Sequence, residues 1–238
     1  MRTDNKLSCD GQTCMLCRLS MPEWKTAVRL QVKNYRFKKN ETIFREGDPV
    51  EGIYFVYDGI VKVHKHWGTD KDLIVRFAGK GEILGHRGIG STENLYPVTA
   101  TAMSPVTVCY VDMPFFEASL KVNHEFLYQL MRFYAQELQE AERYMHGLAH
   151  LPVKARLANA LLLLHTKFGT TPEGFINLPL TKQDLSAYIG ATYETTFRVL
   201  QDLIAAALVR SDGKLLAITQ PEALQEILRA AGASGTIA

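Results

Sequence analysis

The feature that most constrains this chain is a change of hydrophobic period near residue 115. Before it, apolar residues come in short alternating runs. Examples are Thr42-Ile43-Phe44, Ile53-Tyr54-Phe55-Val56-Tyr57, Ile60-Val61-Lys62-Val63-His64, Leu73-Ile74-Val75-Arg76-Phe77 and Val106-Thr107-Val108-Cys109-Tyr110-Val111. Glu46-Gly47-Asp48, Asp58-Gly59 and Gly79-Lys80-Gly81 punctuate them. Period-two runs closed by Gly and Asp predict a small antiparallel β-roll or barrel. From about Pro114 to His150 the alternation is gone. Leu127, Met131, Tyr134, Leu138, Ala141, Met145 and Leu148 follow one another in steps of four and three, which is a heptad seam. A helix resting on its own roll usually shows a wider apolar stripe. The seam therefore predicts a helix that pairs with a second copy in a homodimer, with those residues at the interface. A long helix lying on its own barrel is the alternative. Pro152 ends or kinks the helix.

The remainder reads as a second unit. Val153–His165 is helical, Thr170–Gly174 is a loop, and Phe175–Leu178 is a short strand. Two compact helices and a hairpin follow. The fold class is α+β, with four regions. Residues 1–20 are an irregular cysteine-bearing segment and 21–118 a β-roll sensor domain. Residues 119–151 are a dimerisation helix and 152–238 a winged helix–turn–helix domain. With 47% hydrophobic and 22% charged residues the chain has material for real cores, which excludes wholesale disorder. Net charge is only +2, so any nucleic-acid contact must come from a local patch. No apolar run approaches the roughly 18 residues of a membrane span, and the polar start Met1–Lys6 leads into no signal core. The expected compartment is cytoplasmic, without a membrane partner.

The segment Leu180–Leu200 carries the chemistry. Thr181 is placed to cap a helix, with Asp184 three positions on. Leu185, Tyr188 and Ile189 face inward, Gly190 stands where a tight turn needs positive φ, and Thr192 caps the next helix. That pattern predicts a helix–turn–helix. On its second helix Thr196, Val199, Leu200 and Leu203 fall on one face, and Glu194, Phe197, Arg198 and Gln201 on the other. Arg198 suits guanine O6/N7 and Glu194 suits cytosine N4. The bland alternative is a surface salt bridge between them. The expected DNA-binding set is Thr181, Thr192, Tyr193, Glu194, Thr195, Phe197, Arg198 and Gln201. Arg210 and Lys214, on a wing turning at Asp212-Gly213, would add phosphate contacts. No nucleophile–base pairing, phosphate-gripping glycine loop or hydrolase motif marks the chain as an enzyme.

Three of the four cysteines crowd together as Cys9-x4-Cys14-x2-Cys17; the fourth is Cys109. The crowding fits ligands to an iron–sulfur cluster or zinc, a reactive thiol switch, or incidental thiols in a tail. Cys109 alone reads as a buried small hydrophobe. His64, His66, His86, His124 and His146 show no ligand spacing and read as single exposed residues.

From about residue 20 to 225 the chain resembles the Crp/Fnr superfamily of bacterial transcription regulators. The resemblance is carried by Asn40–Asp48, Ile53–Lys62, Gly81-Glu82-Ile83-Leu84-Gly85, the long helix and Glu194-Thr195-x-x-Arg198. It implies a cyclic-nucleotide-binding-like roll, a homodimer on pseudo-palindromic promoter DNA, and contact with RNA polymerase. Members that bind cyclic AMP hold its ribose with an acid and its phosphate with an Arg followed by a hydroxyl residue. Here His86 stands in the acid's place and Tyr96-Pro97 in the place of the phosphate binders, which argues against cyclic AMP. Gly85-x-x-x-Ile89-Gly90 and Val106–Phe115 look more like the oxygen-sensing Fnr branch. That branch implies a [4Fe-4S] cluster held by Cys9, Cys14, Cys17 and Cys109. The N-terminal spacing departs from the branch's usual Cys-x2-Cys-x5-Cys. Sensing of oxygen, redox state or nitric oxide follows from this resemblance. A small organic ligand or haem in the roll, or thiol oxidation, is the alternative.

Overall fold

The computed structural model describes residues 2–3, 11–68 and 71–232. Cys9 lies outside them. The chain divides into two compact units, Met1–Tyr134 and Ala135–Ala238. The boundary falls inside one long helix.

In the first unit, β1 (Arg2–Thr3), β2 (Lys33–Phe37), β9 (Val106–Asp112), β4 (Gly52–Asp58) and β7 (Ile83–Leu84) form one sheet in that order. β3 (Thr42–Phe44), β8 (Thr99–Ala102), β5 (Val61–Trp67) and β6 (Lys71–Ala78) form the other. All pairings are antiparallel. The central strands are buried on both faces, and side-chain parity sorts their residues into two cores. Tyr54, Val56, Val106, Val108 and Tyr110 fill the roll interior. Ile53, Phe55, Cys109 and Val111 face the other way, into a core shared with Leu16, Val28, Phe116, Phe126 and Leu130 of the helices.

Residues 1–20 are not wholly irregular, because α1 spans Met15–Leu19. It precedes α2 (Lys25–Gln31). Nor is the stretch expected as one helix, 119–151, unbroken. α3 (Met113–Val122), capped by Asp112, stops at Asn123, and α4 runs His124–His150. The Asn123 side chain accepts from Phe126 N at 3.0 Å and donates to the Leu19 carbonyl at 2.7 Å. One residue thus starts α4 and ties the N-terminal segment to it. Trp24 adds a second tie, stacking on Phe115 and donating to Ser119 Oγ at 3.0 Å.

In the second unit α5 (Val153–Phe168) buries Ala155, Leu157, Ala158, Leu161 and Leu164. Packed on it are α6 (Lys182–Ile189), α7 (Tyr193–Ala205) and α8 (Pro221–Ala230). α8 has no counterpart in the sequence reading. Phe175–Leu178 is not a strand; Ile176 makes one isolated bridge, to Thr170. β10 (Val209–Asp212) and β11 (Leu215–Ile218) form the hairpin. Its turn is Gly213-Lys214, one residue later than expected, because Asp212 pairs with Leu215. Among the described residues no helix is long and apolar enough to cross a membrane.

Candidate nucleic-acid interface and cysteine site

The helix–turn–helix is built by local chemistry. Thr181 Oγ1 accepts from Asp184 N at 2.9 Å, and the Asp184 carboxylate accepts from Thr181 N at 3.3 Å, closing a capping box. Gly190 ends α6 at φ +61°. The Arg156 guanidinium donates to the Ile189 and Gly190 carbonyls at 2.8 and 3.0 Å, satisfying acceptors left open at the helix end. Thr192 caps α7 by accepting from Thr195 N at 3.2 Å. Thr196, Val199, Leu200 and Leu203 are buried. Tyr193, Glu194, Phe197, Arg198 and Gln201 are exposed.

No ion pair joins Glu194 to Arg198 among the described residues, so the salt-bridge alternative does not describe this surface. Both heads are available to a partner. Sequence reasoning missed Lys182, whose Nζ sits 4.3 Å from the Phe197 ring centroid. Tyr193 and Phe197 stack with planes 7° apart. Phe197 is therefore a fixed apolar plate with a cation on its face. Arg210 is exposed on the wing and also engages the preceding loop. Its guanidinium lies 4.3 Å over Phe175 and donates to the Glu173 carbonyl, which braces the wing against the preceding loop. Lys214 stands exposed at the turn.

The described cysteines share one core. Cys14, Cys17 and Cys109 are all buried in the helix-side core of the first unit, and none is in a disulfide. Cys14 caps α1, its sulfur accepting from Cys17 N at 3.3 Å. Cys109 reaches the same core from β9 by strand parity. Thr13 runs against the roll, where a Cβ on Gly81 would come within 3.0 Å of its carbonyl. Thiols buried to 1%, 7% and 1% exposure are poor targets for solvent oxidants, which attack exposed thiolates in electropositive surroundings. Soft sulfur donors from two segments in one buried core are the donor type that iron–sulfur clusters use. Cys9 stands five positions before Cys14, a reach of up to about 17 Å.

The roll interior is filled by its own side chains. Tyr96, 3% exposed, stacks on Phe44 with centroids 4.1 Å apart and donates to the Gly52 carbonyl at 2.6 Å. Burial pushes its phenol up to about 12 and that of Tyr54 higher still. A cavity bounded by Phe44, Arg76, His86 and Tyr96 is about 10 Å³, room for roughly one water molecule. Ligand pockets for organic molecules are usually about 300–1,000 Å³. Two histidines depart from the exposed reading. His86 is buried edge-on to Phe133 and Tyr134, and His64 is buried beside His66 and Asp72.

The heptad seam divides. Leu127, Met131, Leu138 and Met145 are exposed at 46–61%. Ala141 and Leu148 are half-buried. Tyr134, also half-buried, turns inward, its hydroxyl donating to the His86 carbonyl at 2.5 Å. A straight helix drifts about 20° per heptad, so one side of the ideal seam rotates onto the protein's own surface.

Two family models match this chain. Residues 35–123 match the cyclic nucleotide-binding domain, and 155–227 the Crp-like helix-turn-helix domain. The global nitrogen regulator of Synechococcus elongatus is 27% identical over 202 residues, covering 83% of this chain and 90% of that protein. Transcriptional activator protein FnrA of Stutzerimonas stutzeri is 26% identical over 205 residues, covering 84% and 82%. Among solved structures, FixK2 from Bradyrhizobium japonicum has a TM-score of 0.73 at 23% identity, covering 82% of this chain and 96% of that one.

Proposed function

The chain belongs to the Crp/Fnr family of DNA-binding transcription regulators, and on that premise we propose that it reads promoter DNA as a homodimer gated by a cysteine-held iron–sulfur cluster. The observation that supports the sensor reading is the burial of Cys14, Cys17 and Cys109, from two distant segments, in one core. Cys9 supplies the fourth thiolate. When bound, such a cluster supplies an oxygen-labile, redox-active centre.

This chain's residues do the rest. Cys14 and Cys17 hold the N-terminal segment to β9, and Asn123 and Trp24 couple that segment to α3 and the start of α4. Loss of the thiolate ties removes support from the helix that carries Leu127 and Met131. Regulators of this family act as dimers, and the exposed line Leu127, Met131, Leu138 and Met145 is the surface for pairing. Pairing would set two copies of α7 about one DNA turn apart. Arg198 and Glu194 read base edges, Phe197 lies against a thymine methyl, and Thr181, Thr192 and Lys214 contact phosphates. RNA polymerase is the further partner of such a regulator.

Tyr96 in the roll counts against cyclic AMP, an organic ligand or haem there, since each would have to displace a stacked, hydrogen-bonded ring. Anaerobic purification with iron and sulfide analysis tests the sensor. About four iron and four sulfide per chain are expected, bleaching in air and lost in Cys→Ser variants at 9, 14, 17 and 109. A colourless, iron-free protein that still binds DNA overturns the sensor and leaves the DNA reading standing.

A further inference from the structure

The β5–β6 hairpin gathers three side chains that neither DNA reading nor the cysteine site uses. His64 and His66 are two apart on β5 and share a face. Asp72 lies on β6 directly across from His66, while a bulge between Val63 and His64 shifts the register so that His64 pairs with Ile74. The Asp72 carboxylate ends up between both rings. Its Oδ2 is 3.4 Å from His64 Nδ1, and its Oδ1 is 2.5 Å from His66 Nδ1. The three donor atoms lie within 4.8 Å of one another.

A second observation concerns the other nitrogen of His64. Nε2 lies 2.9 Å from Thr101 Oγ1 on β8, and the ring is 4% exposed. With Thr101 accepting, Nε2 carries the proton and Nδ1 presents its lone pair to the carboxylate. In that tautomer the Thr101 contact holds the His64 ring from behind, the kind of outer hydrogen bond that supports a metal-ligating histidine. His66 is 60% exposed and Asp72 32%, so one side stays open to water.

We infer that His64, His66 and Asp72 form a binding site for a divalent transition-metal ion, zinc being the test case. Two imidazoles and one carboxylate suit Zn²⁺, Ni²⁺ or Cu²⁺ with water completing the shell; Ca²⁺ and Mg²⁺ prefer all-oxygen sites. The ion joins β5 to β6 through its ligands and leans on β8 through Thr101. The site lies in the four-stranded sheet, whereas Cys109 is in the five-stranded one.

The test uses the full chain, stripped of metal and with thiols reduced. Zn²⁺ is titrated by calorimetry, and Co²⁺ by absorption. The wild type should bind one more equivalent than His66→Ala or Asp72→Asn, both changes at partly exposed positions, with far-UV circular dichroism confirming folding. Co²⁺ in that equivalent should lack the thiolate-to-metal charge-transfer band that cysteine-bound Co²⁺ gives. Thr101→Val should keep the stoichiometry and weaken binding about 10–100-fold. The site is refuted if both variants bind as many equivalents as tightly as the wild type, or if every equivalent carries the thiolate band.

Discussion

Gly190 makes a sharp test of how the helix–turn–helix is held. Its φ of +61° and ψ of +44° lie in the left-handed region. A Cβ there would come within 2.6 Å of Leu148 Cδ2 and 3.5 Å of Arg156 Nη1. Gly190→Ala therefore carries two costs. The backbone cost is about 1–2 kcal/mol, offset by about 0.4–1 kcal/mol from the stiffer unfolded chain. Moving the Leu148 side chain off its rotamer adds about 0.5–1.5 kcal/mol. The net loss is about 2 kcal/mol, near the top of a 5–30-fold change in a folding equilibrium. Hydrogen exchange of the α6–α7 amides reads this locally in the full chain. Protection should fall by about that factor. Gly190→Asn keeps the Leu148 contact but tolerates the backbone, so it should lose roughly half as much free energy. Equal protection in the Ala and Asn variants, or protection at the wild-type level in both, would refute the backbone argument.

Arg198→Ala should cost about 1–3 kcal/mol on the cognate site and relax preference at one base pair; an equal loss on random DNA in an anisotropy titration contradicts base reading. Leu138→Glu with Met131→Glu places charge on the exposed line of α4 and should give monomers by analytical ultracentrifugation, while an unchanged sedimentation coefficient for a dimer rejects that line as the interface. Stability should also fall in alkali. Burial pushes Tyr96 and Tyr188 from their ordinary 10.0 up to about 12. Below pH 10 the phenols are neutral in both states and stability is full; between about 10 and 12 the unfolded chain ionises first and stability is lost. A urea midpoint that stays constant across that window would show that these rings are not buried as described.

Local chemistry was the legible part. Thr181, Asp184, Gly190 and Thr192 each act within a few residues, so their types and spacing sufficed to place two helices and a turn. The outward face of α7 followed from helical period alone. What escaped needed partners far along the chain. Asn123 breaks the long helix while its amide holds the carbonyl of Leu19, 104 residues away. That Arg210 also rests on Phe175 shows only once the preceding loop is placed beneath it. His64, His66 and Asp72 meet only through hairpin register and a bulge, neither visible as ligand spacing. The heptad seam was legible, yet Tyr134 turned inward because a straight helix does not keep a strict seven-residue repeat on one face.

The most direct measurement is DNA affinity of one protein sample before and after air, on its promoter site, with iron content followed in parallel. The account predicts tight anaerobic binding that weakens as iron is lost, with the same loss in Cys109→Ser held anaerobically. Affinity unchanged by air, in wild type and Cys109→Ser alike, would contradict gating through the cysteines.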